Sequence, residues 1–204
     1  MVEQVARSDV VGSLLRPAYL LEARRKLEAG GLAPAEFKQI EDRAVDEAIA
    51  LQEAAGVDVV TDGEQRRYIF FGQLVEALDG FDKFGGWAIP FRNEQGEEQV
   101  VPRPVVVEKL RWRQSMCAEE FTYARARATR PVKATLISAQ QAAAFYEPDK
   151  SRGAYPPRDA YLADIVDFTR RGVAELGRLG CAYIQIDAPQ YAALVDQRWR
   201  EGYR

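Results

Sequence analysis

Apolar residues recur at spacings of three and four along Phe37, Ile40, Ala44, Ala48, Leu51 and Ala55, which predicts an amphipathic helix opened by Pro34. Directly after it the period changes. Val57, Val59 and Val60 form a short β-branched run framed by Gly56 and Gly63, the pattern of a strand covered on both faces. That run ends abruptly in charge, at Asp62, Glu64, Arg66 and Arg67. A helix feeding a buried strand is the unit of a parallel sheet, and such sheets place their chemistry at the carboxyl ends of the strands. The same design returns late in the chain, where a strand over Ala182 to Ile186 closes on Asp187. Pro131 introduces a third buried strand that ends at Ser138, and Val5 to Gly12 forms a weaker first one.

Between these strands the pattern predicts a helix from Arg16 and Pro17 through Ala29, another over Ser115 to Ala128, and a short one in AQQAAAFY. A long amphipathic helix carries Tyr161, Ile165, Phe168, Gly172, Leu176 and Leu179 and is stopped by Gly180. Tyr68, Ile69, Phe70, Phe71, Leu74 and Leu78 suggest a helix apolar on much of its surface, covered by this chain or by another. The stretch EPDKSRGAYPPRD reads as a surface loop. Residues 79–113 break into glycine pairs, charge and short β-like runs, an insertion into the main fold after the second strand. Trp87 and Trp112 within it could stack on a planar ligand, although packing is the plainer role for each.

About four βα units plus this insertion predict an α/β fold of (β/α)8 TIM-barrel type with its N-terminal half only, as one domain over residues 1–204. Such a half leaves strand edges and an apolar face unpaired, so a second polypeptide completing the barrel, or self-association, is expected. Hydrophobic residues at 47% and charged residues at 29% suit a globular chain. The net charge of −3 gives no general attraction to a polyanion and argues against nucleic acid as the main partner. The basic residues Arg125, Arg127 and Arg130 read as a solvated helix face. No apolar stretch approaches the roughly 20 residues of a membrane helix, and no secretory signal is visible, so a cytoplasmic protein is expected.

The absence of histidine changes the picture most. It removes Ser-His-Asp and Cys-His catalysis, histidine acid-base chemistry and any imidazole zinc site from this chain alone. Cys117 and Cys181 lie far apart, support neither a disulfide framework nor a cysteine zinc site, and are expected to be packing residues. What remains is carboxylates, arginines, hydroxyls and backbone. Amides at Gly12 and Ser13 beside a helix start could hold a carboxylate by the physics that binds phosphate there, or the stretch is a plain turn.

Four segments in this order, VGSLLRP at Val11 to Pro17, DVVTDGEQRR at Asp58 to Arg67, PVKATLIS at Pro131 to Ser138 and YIQIDAP at Tyr183 to Pro189, resemble the cobalamin-independent methionine synthases, most closely the short single-barrel members. The likeness spans nearly the whole chain and corresponds to the first half of that family's catalytic barrel. It implies a zinc-dependent methyltransferase in which zinc activates the thiol of homocysteine and a methylated folate donates the methyl group. By that likeness Val11, Gly12 and Ser13 meet the substrate carboxylate, Glu64 and Asp187 hold its amino group, and Phe145 stands where a tryptophan stacks near the folate. The residue types agree, because two carboxylates suit an ammonium and free amides suit a carboxylate. The family's zinc ligands and catalytic histidine have no counterpart in this chain, so its expected role is to position the substrate. Val10 replaces a histidine common in short-barrel members, and Ala188 replaces the glutamate of the usual D-E-P, which bears on the substrate. The closest variant of the split enzyme is a related thiol alkyltransferase with another acceptor or alkyl donor, and the second half is either supplied by another polypeptide or lost through truncation. Two readings of other kinds compete with these. One is a non-catalytic binding or assembly subunit that keeps the amino-acid pocket. The other is a carboxylate-bearing α/β domain with a chance likeness.

Overall fold

Residues 8–92 and 96–202 are described by a computed structural model, and their contacts gather into two compact units. The first is drawn from Met1–Gly72, Cys117–Ala134 and Glu175–Gln185. Helix α1 (Ala18–Glu28) follows Pro17, and α2 (Pro34–Ala54) starts with proline at its first turn, where the Glu36 carboxylate accepts the Ala33 amide at 3.2 Å. Their facing stripes bury Leu20, Ala23, Phe37 and Ala44 together. The other side of α2 packs Val45 and Ile49 against Val60 and against Ala124 of α4 (Ala118–Arg127). Full burial of a side chain such as Leu20, Val45 or Val60 contributes roughly 1.5–3 kcal/mol each. On α4, Arg127 pairs with Asp46 at 2.8 Å, and its guanidinium lies 3.4 Å from the Tyr123 ring centroid.

The first two expected strands are reduced to single bridging residues. Asp9 bridges Val59 and Val60 bridges Val132, both parallel, and residues 5–7 of the weak first strand lie outside the described residues. The cause is local. The Gln52 side chain donates to Thr61 O at 2.8 Å and accepts Thr61 N at 2.9 Å, so an amide side chain takes the place of a neighbouring strand. The Asp58 carboxylate likewise accepts both the amide and the hydroxyl of Ser8. Strands β5 (Lys133–Ile137) and β6 (Tyr183–Asp187) form where expected and are neighbours in one sheet.

The second unit is drawn from Gln73–Met116, Thr135–Ala174 and Ile186–Arg204. The expected helix over Tyr68 to Leu78 is only α3 (Gly72–Ala77), and Leu78 already opens β1 (Leu78–Asp82). Phe71, Leu74 and Val75 are buried by this chain itself. Strand β1 pairs antiparallel with β4 (Val105–Trp112), and β2 (Ala88–Arg92) pairs antiparallel with β3 (Glu98–Pro102). The β1–β4 register shifts at Gly80, which has φ 108 and where an added Cβ would lie 2.9 Å from Glu108 O. Trp112 packs on Phe168 and under Arg171, whereas Trp87 is half exposed with Arg103 over its ring.

After β5 come α5 (Ala139–Ala142), a 3-10 turn (Ala143–Phe145) and α6 (Pro148–Ser151). The expected surface loop around α6 is anchored instead. Ser151 and Tyr155 have no exposed surface: Ser151 Oγ donates to Val106 O at 2.7 Å, and Tyr155 OH accepts Leu110 N at 2.9 Å and donates to Asp164 at 2.7 Å. Helix α7 (Arg158–Arg178) matches the expected amphipathic helix, and α8 (Gln197–Gly202) follows a 3-10 turn at Pro189–Val195. No helix among the described residues is long and apolar enough to cross a membrane.

Candidate functional site

The turn that follows Val60 is built by its own side chains. Thr61 Oγ1 accepts the Gly63 amide at 3.0 Å and Asp62 Oδ1 accepts the Glu64 amide at 2.9 Å, closing two successive residues into left-handed backbone, Gly63 at φ 68 and Glu64 at φ 55. A Cβ on Gly63 would meet Ala48 Cβ at 3.1 Å and sit on left-handed backbone, so glycine is favoured there. Glu64 has no such freedom, and holding it left-handed costs about 1–2 kcal/mol. Several partners hold it. Arg16 Nη2 donates to Glu64 O at 3.0 Å, Arg67 N to the same oxygen at 3.2 Å, and Ser13 Oγ to Glu64 Oε2.

Beneath this turn lies a buried charge network. Arg67 is 2% exposed and forks onto Glu120, with Nη2 at 2.6 Å from Oε2 and Nε at 3.1 Å from Oε1, while Nη1 stands 3.2 Å from Glu64 Oε1. Burial opposes the Arg67 charge, and its acidic neighbours, Glu120 first, together outweigh it, so the guanidinium stays protonated. Burial, reinforced by Glu120, pushes the Asp62 carboxyl up to about 6, and its Oδ2 has no hydrogen-bond partner among the described residues. Burial also pushes the Cys117 thiol well above its ordinary value, so it is no thiolate nucleophile although Arg67 lies 3.8 Å away. Asp62, Glu64 and Glu120 thus gather three carboxylates around the Arg67 guanidinium, with the charges of Arg16 and Arg24 close by.

Val11, Gly12 and Ser13 are exposed, and their amides have no hydrogen-bond partner among the described residues. The Ser13 hydroxyl joins this segment to Glu64, and Leu14 N donates to Gly63 O at 3.1 Å. A hydroxyl, free amides and a carboxylate therefore stand together in one compact unit.

Residues 8–202 match the family model described as the catalytic domain of cobalamin-independent synthase. The chain belongs to this family. It is 28% identical over 200 residues to the uncharacterised protein YxjH of Bacillus subtilis, covering 97% of this chain and 52% of that protein. It is 25% identical over 185 residues to the methionine synthase of Pyrococcus abyssi, covering 89% and 51%. The 5-methyltetrahydropteroyltriglutamate–homocysteine methyltransferase of Syntrophotalea carbinolica is 29% identical over 200 residues, covering 95% of this chain and 25% of the enzyme. Among solved structures, a B12-independent methionine synthase from Shewanella in complex with selenomethionine superposes with a TM-score of 0.68 at 23% identity, covering 89% and 51%, and shows the shared fold. The chain spans about half the length of most of these relatives.

Within this family's frame the remaining candidates fall as follows. Asp187 ends β6 half-buried and its carbonyl accepts Ser138 N at 2.9 Å, in the second unit. Phe145 is fully buried with its ring edge-on to Phe81 at 6.1 Å, so it has no open face for stacking, whereas its neighbours Ala144 and Tyr146 line a cavity of about 480 Å³ with Trp87, Arg103 and Arg158. Zinc does not fit the described residues by themselves: no three of their Cys, Asp and Glu side chains cluster as a metal site. Sequence reasoning passed over Lys133, Glu120 and Gln185. Lys133 had a visible signal, a lysine inside a strand whose five residues are all buried. Glu120 had none, being one of two adjacent glutamates at the start of a helix.

Proposed function

We propose that this chain forms the amino-acid-binding, N-terminal half of a methionine-synthase-type barrel and positions a thiol amino acid of the homocysteine class for S-methylation. The observation that carries it is the contact between Ser13 and Glu64, which brings together the two stretches to which the family likeness assigns the carboxylate and the amino group of the substrate. On this reading the amides of Val11 and Gly12 and the Ser13 hydroxyl receive the carboxylate, the hydroxyl turning its single proton from Glu64 to the ligand. Glu64 accepts from the ammonium, which takes the place of the Ser13 hydroxyl on Oε2. Asp187 as a second carboxylate for the ammonium and Phe145 on the folate side rest on the family likeness alone, and residues 79–113 as an insertion rest on the sequence pattern.

The chain's own part is to bind and orient, and no bond-making step is assigned to it. Zinc, a methylated folate, the remaining barrel strands on a second polypeptide or through self-association, and a cytoplasmic setting belong to the same proposal. Titration of the full chain with L-homocysteine under reducing conditions tests it. Binding that weakens roughly tenfold or more on Ser13→Ala, the worth of one hydrogen bond to a charged group, supports the reading. Absence of binding, or affinity indifferent to Ser13→Ala, overturns it.

A further inference from the structure

The exposed segment before α1 is held from below by a side-chain clamp. Lys133, whose side chain is wholly buried, uses all three ammonium donors: Asp9 Oδ2 at 2.6 Å, Val10 O at 2.7 Å and Gln185 Oε1 at 2.7 Å. Gln185 Nε2 then donates to Val11 O at 2.8 Å, and Tyr183 OH donates to Asp9 Oδ2 at 3.1 Å. All of these residues belong to the first unit. Two consecutive carbonyls, of Val10 and Val11, are therefore gripped from β5 and β6.

A peptide group is planar and its C=O and N–H point in opposite directions in the trans form. No cis peptide occurs among the described residues. Fixing Val10 O fixes the Val11 N–H on the far side of the same plane, and fixing Val11 O does the same for the Gly12 N–H. Both amides lack hydrogen-bond partners among the described residues and lie on exposed residues. Gly12 adds open space, since a Cβ there would meet nothing within 4 Å.

We propose that Lys133 and Gln185 are positioning residues that aim the Val11 and Gly12 amides at the ligand's carboxylate by gripping the carbonyls of the same two peptide groups. The inference rests on the reading of Val11 to Ser13 as the carboxylate site. A lysine suits the task because its charge stays paired with Asp9, whose carboxyl it holds below its ordinary value, while one further donor reaches the Val10 carbonyl and another holds the Gln185 side chain.

The test uses the full chain, Lys133→Met and Gln185→Met, two ligands and one ligand-free measurement. The ligands are L-homocysteine and its decarboxylated analogue 3-aminopropane-1-thiol. The parent is expected to prefer homocysteine, and each variant to lose that preference by roughly tenfold or more while its affinity for the aminothiol stays unchanged. Equal weakening of both ligands, or of neither, overturns the clamp, since a merely structural lysine would not single out the carboxylate. Without ligand, nitrogen-15 relaxation should show the Val11 and Gly12 amides rigid in the parent, with order parameters of about 0.85, and mobile, below about 0.6, in the variants. Amides equally rigid in both variants overturn the clamp. A parent that binds homocysteine no better than the aminothiol overturns the carboxylate reading, and the relaxation result then judges the clamp independently. Gln185→Met keeps the Lys133–Asp9 pair, so the test survives if Lys133→Met fails to fold.

Discussion

Asp62→Asn should stabilise the protein at neutral pH and leave it unchanged in acid. Burial raises the Asp62 carboxyl from its ordinary 3.8 to about 6, so the folded state holds this proton more tightly than the unfolded chain does. The stability contributed by the protonated form is complete below about pH 4 and is lost as pH rises through 6. Above that the wild type carries an ionised, buried carboxylate at a cost of about 3 kcal/mol, from roughly two pKa units at about 1.4 kcal/mol each. Asparagine escapes that cost. Its Oδ1 still accepts the Glu64 amide, and its Nδ2 replaces an oxygen that has no hydrogen-bond partner among the described residues, facing a site where Glu64 and Glu120 are negative. Urea unfolding of both proteins at half-unit steps from pH 4.5 to 8 measures the difference, in which groups common to both cancel. The expected gain is about 1 kcal/mol at pH 4.5, where the unfolded Asp62 is already mostly ionised, and about 3 kcal/mol at pH 8, or roughly 6–12 °C in Tm for a chain of this size. A gain of equal size at every pH, or a variant less stable at pH 8, would refute the reasoning.

Glu64→Gln should cost about 1.5–3 kcal/mol, because it removes one charged partner from buried Arg67 while Glu120 keeps the other; a melting temperature equal to or above the parent's would show that the ion pair contributes nothing to folding. The same variant should also weaken amino-acid binding, so both losses appearing together distinguish a carboxylate serving two ends from one that serves either alone. Tyr155→Phe should cost about 1–3 kcal/mol by leaving the buried Leu110 amide without its acceptor, and an unchanged urea midpoint would contradict that account. Elemental analysis of the purified chain should find no stoichiometric zinc; tight one-to-one zinc that disappears on mutating Cys117 or Cys181 would sink the expectation.

Helix α2 was legible because its apolar spacing, its opening proline and the glycine behind it all point to one structure. Strands β5 and β6 and helix α7 were legible for the same reason. The run from Tyr68 to Leu78 was not, since an apolar stretch without a polar face fits helix and strand equally, and pairing with β4 claims Leu78 for a strand. Nor could spacing reveal that Gln52 would take the place of a neighbouring strand at Thr61, or that two hydroxyls would bury a polar loop at Ser151 and Tyr155. In the site, Glu64 was legible as charge at the end of a buried run. Its ion pair with Arg67 was equally open in the sequence, three residues on, and only geometry shows that the two meet. Lys133 stood in plain view within PVKATLIS, but a buried lysine is explained only by its partners, and these come from residues more than 50 positions away.

Disfavoured local states in the first unit gather between Asp62 and Arg67. Glu64 is the only non-glycine residue with positive φ among the described residues, Asp62 is ionised at neutral pH without a partner for Oδ2, and Arg67 is buried between two carboxylates. A turn required for folding alone could be built more cheaply with glycine or asparagine in place of Glu64, since these residues tolerate left-handed backbone. What glycine would not supply is a carboxylate in contact with Ser13. Strain that persists where a plainer residue would fold as well argues from the outlier toward function. Here the left-handed turn brings the end of one buried run to the start of α1, so the carboxylate reaches the exposed segment whose amides are held open from the other side by Lys133 and Gln185.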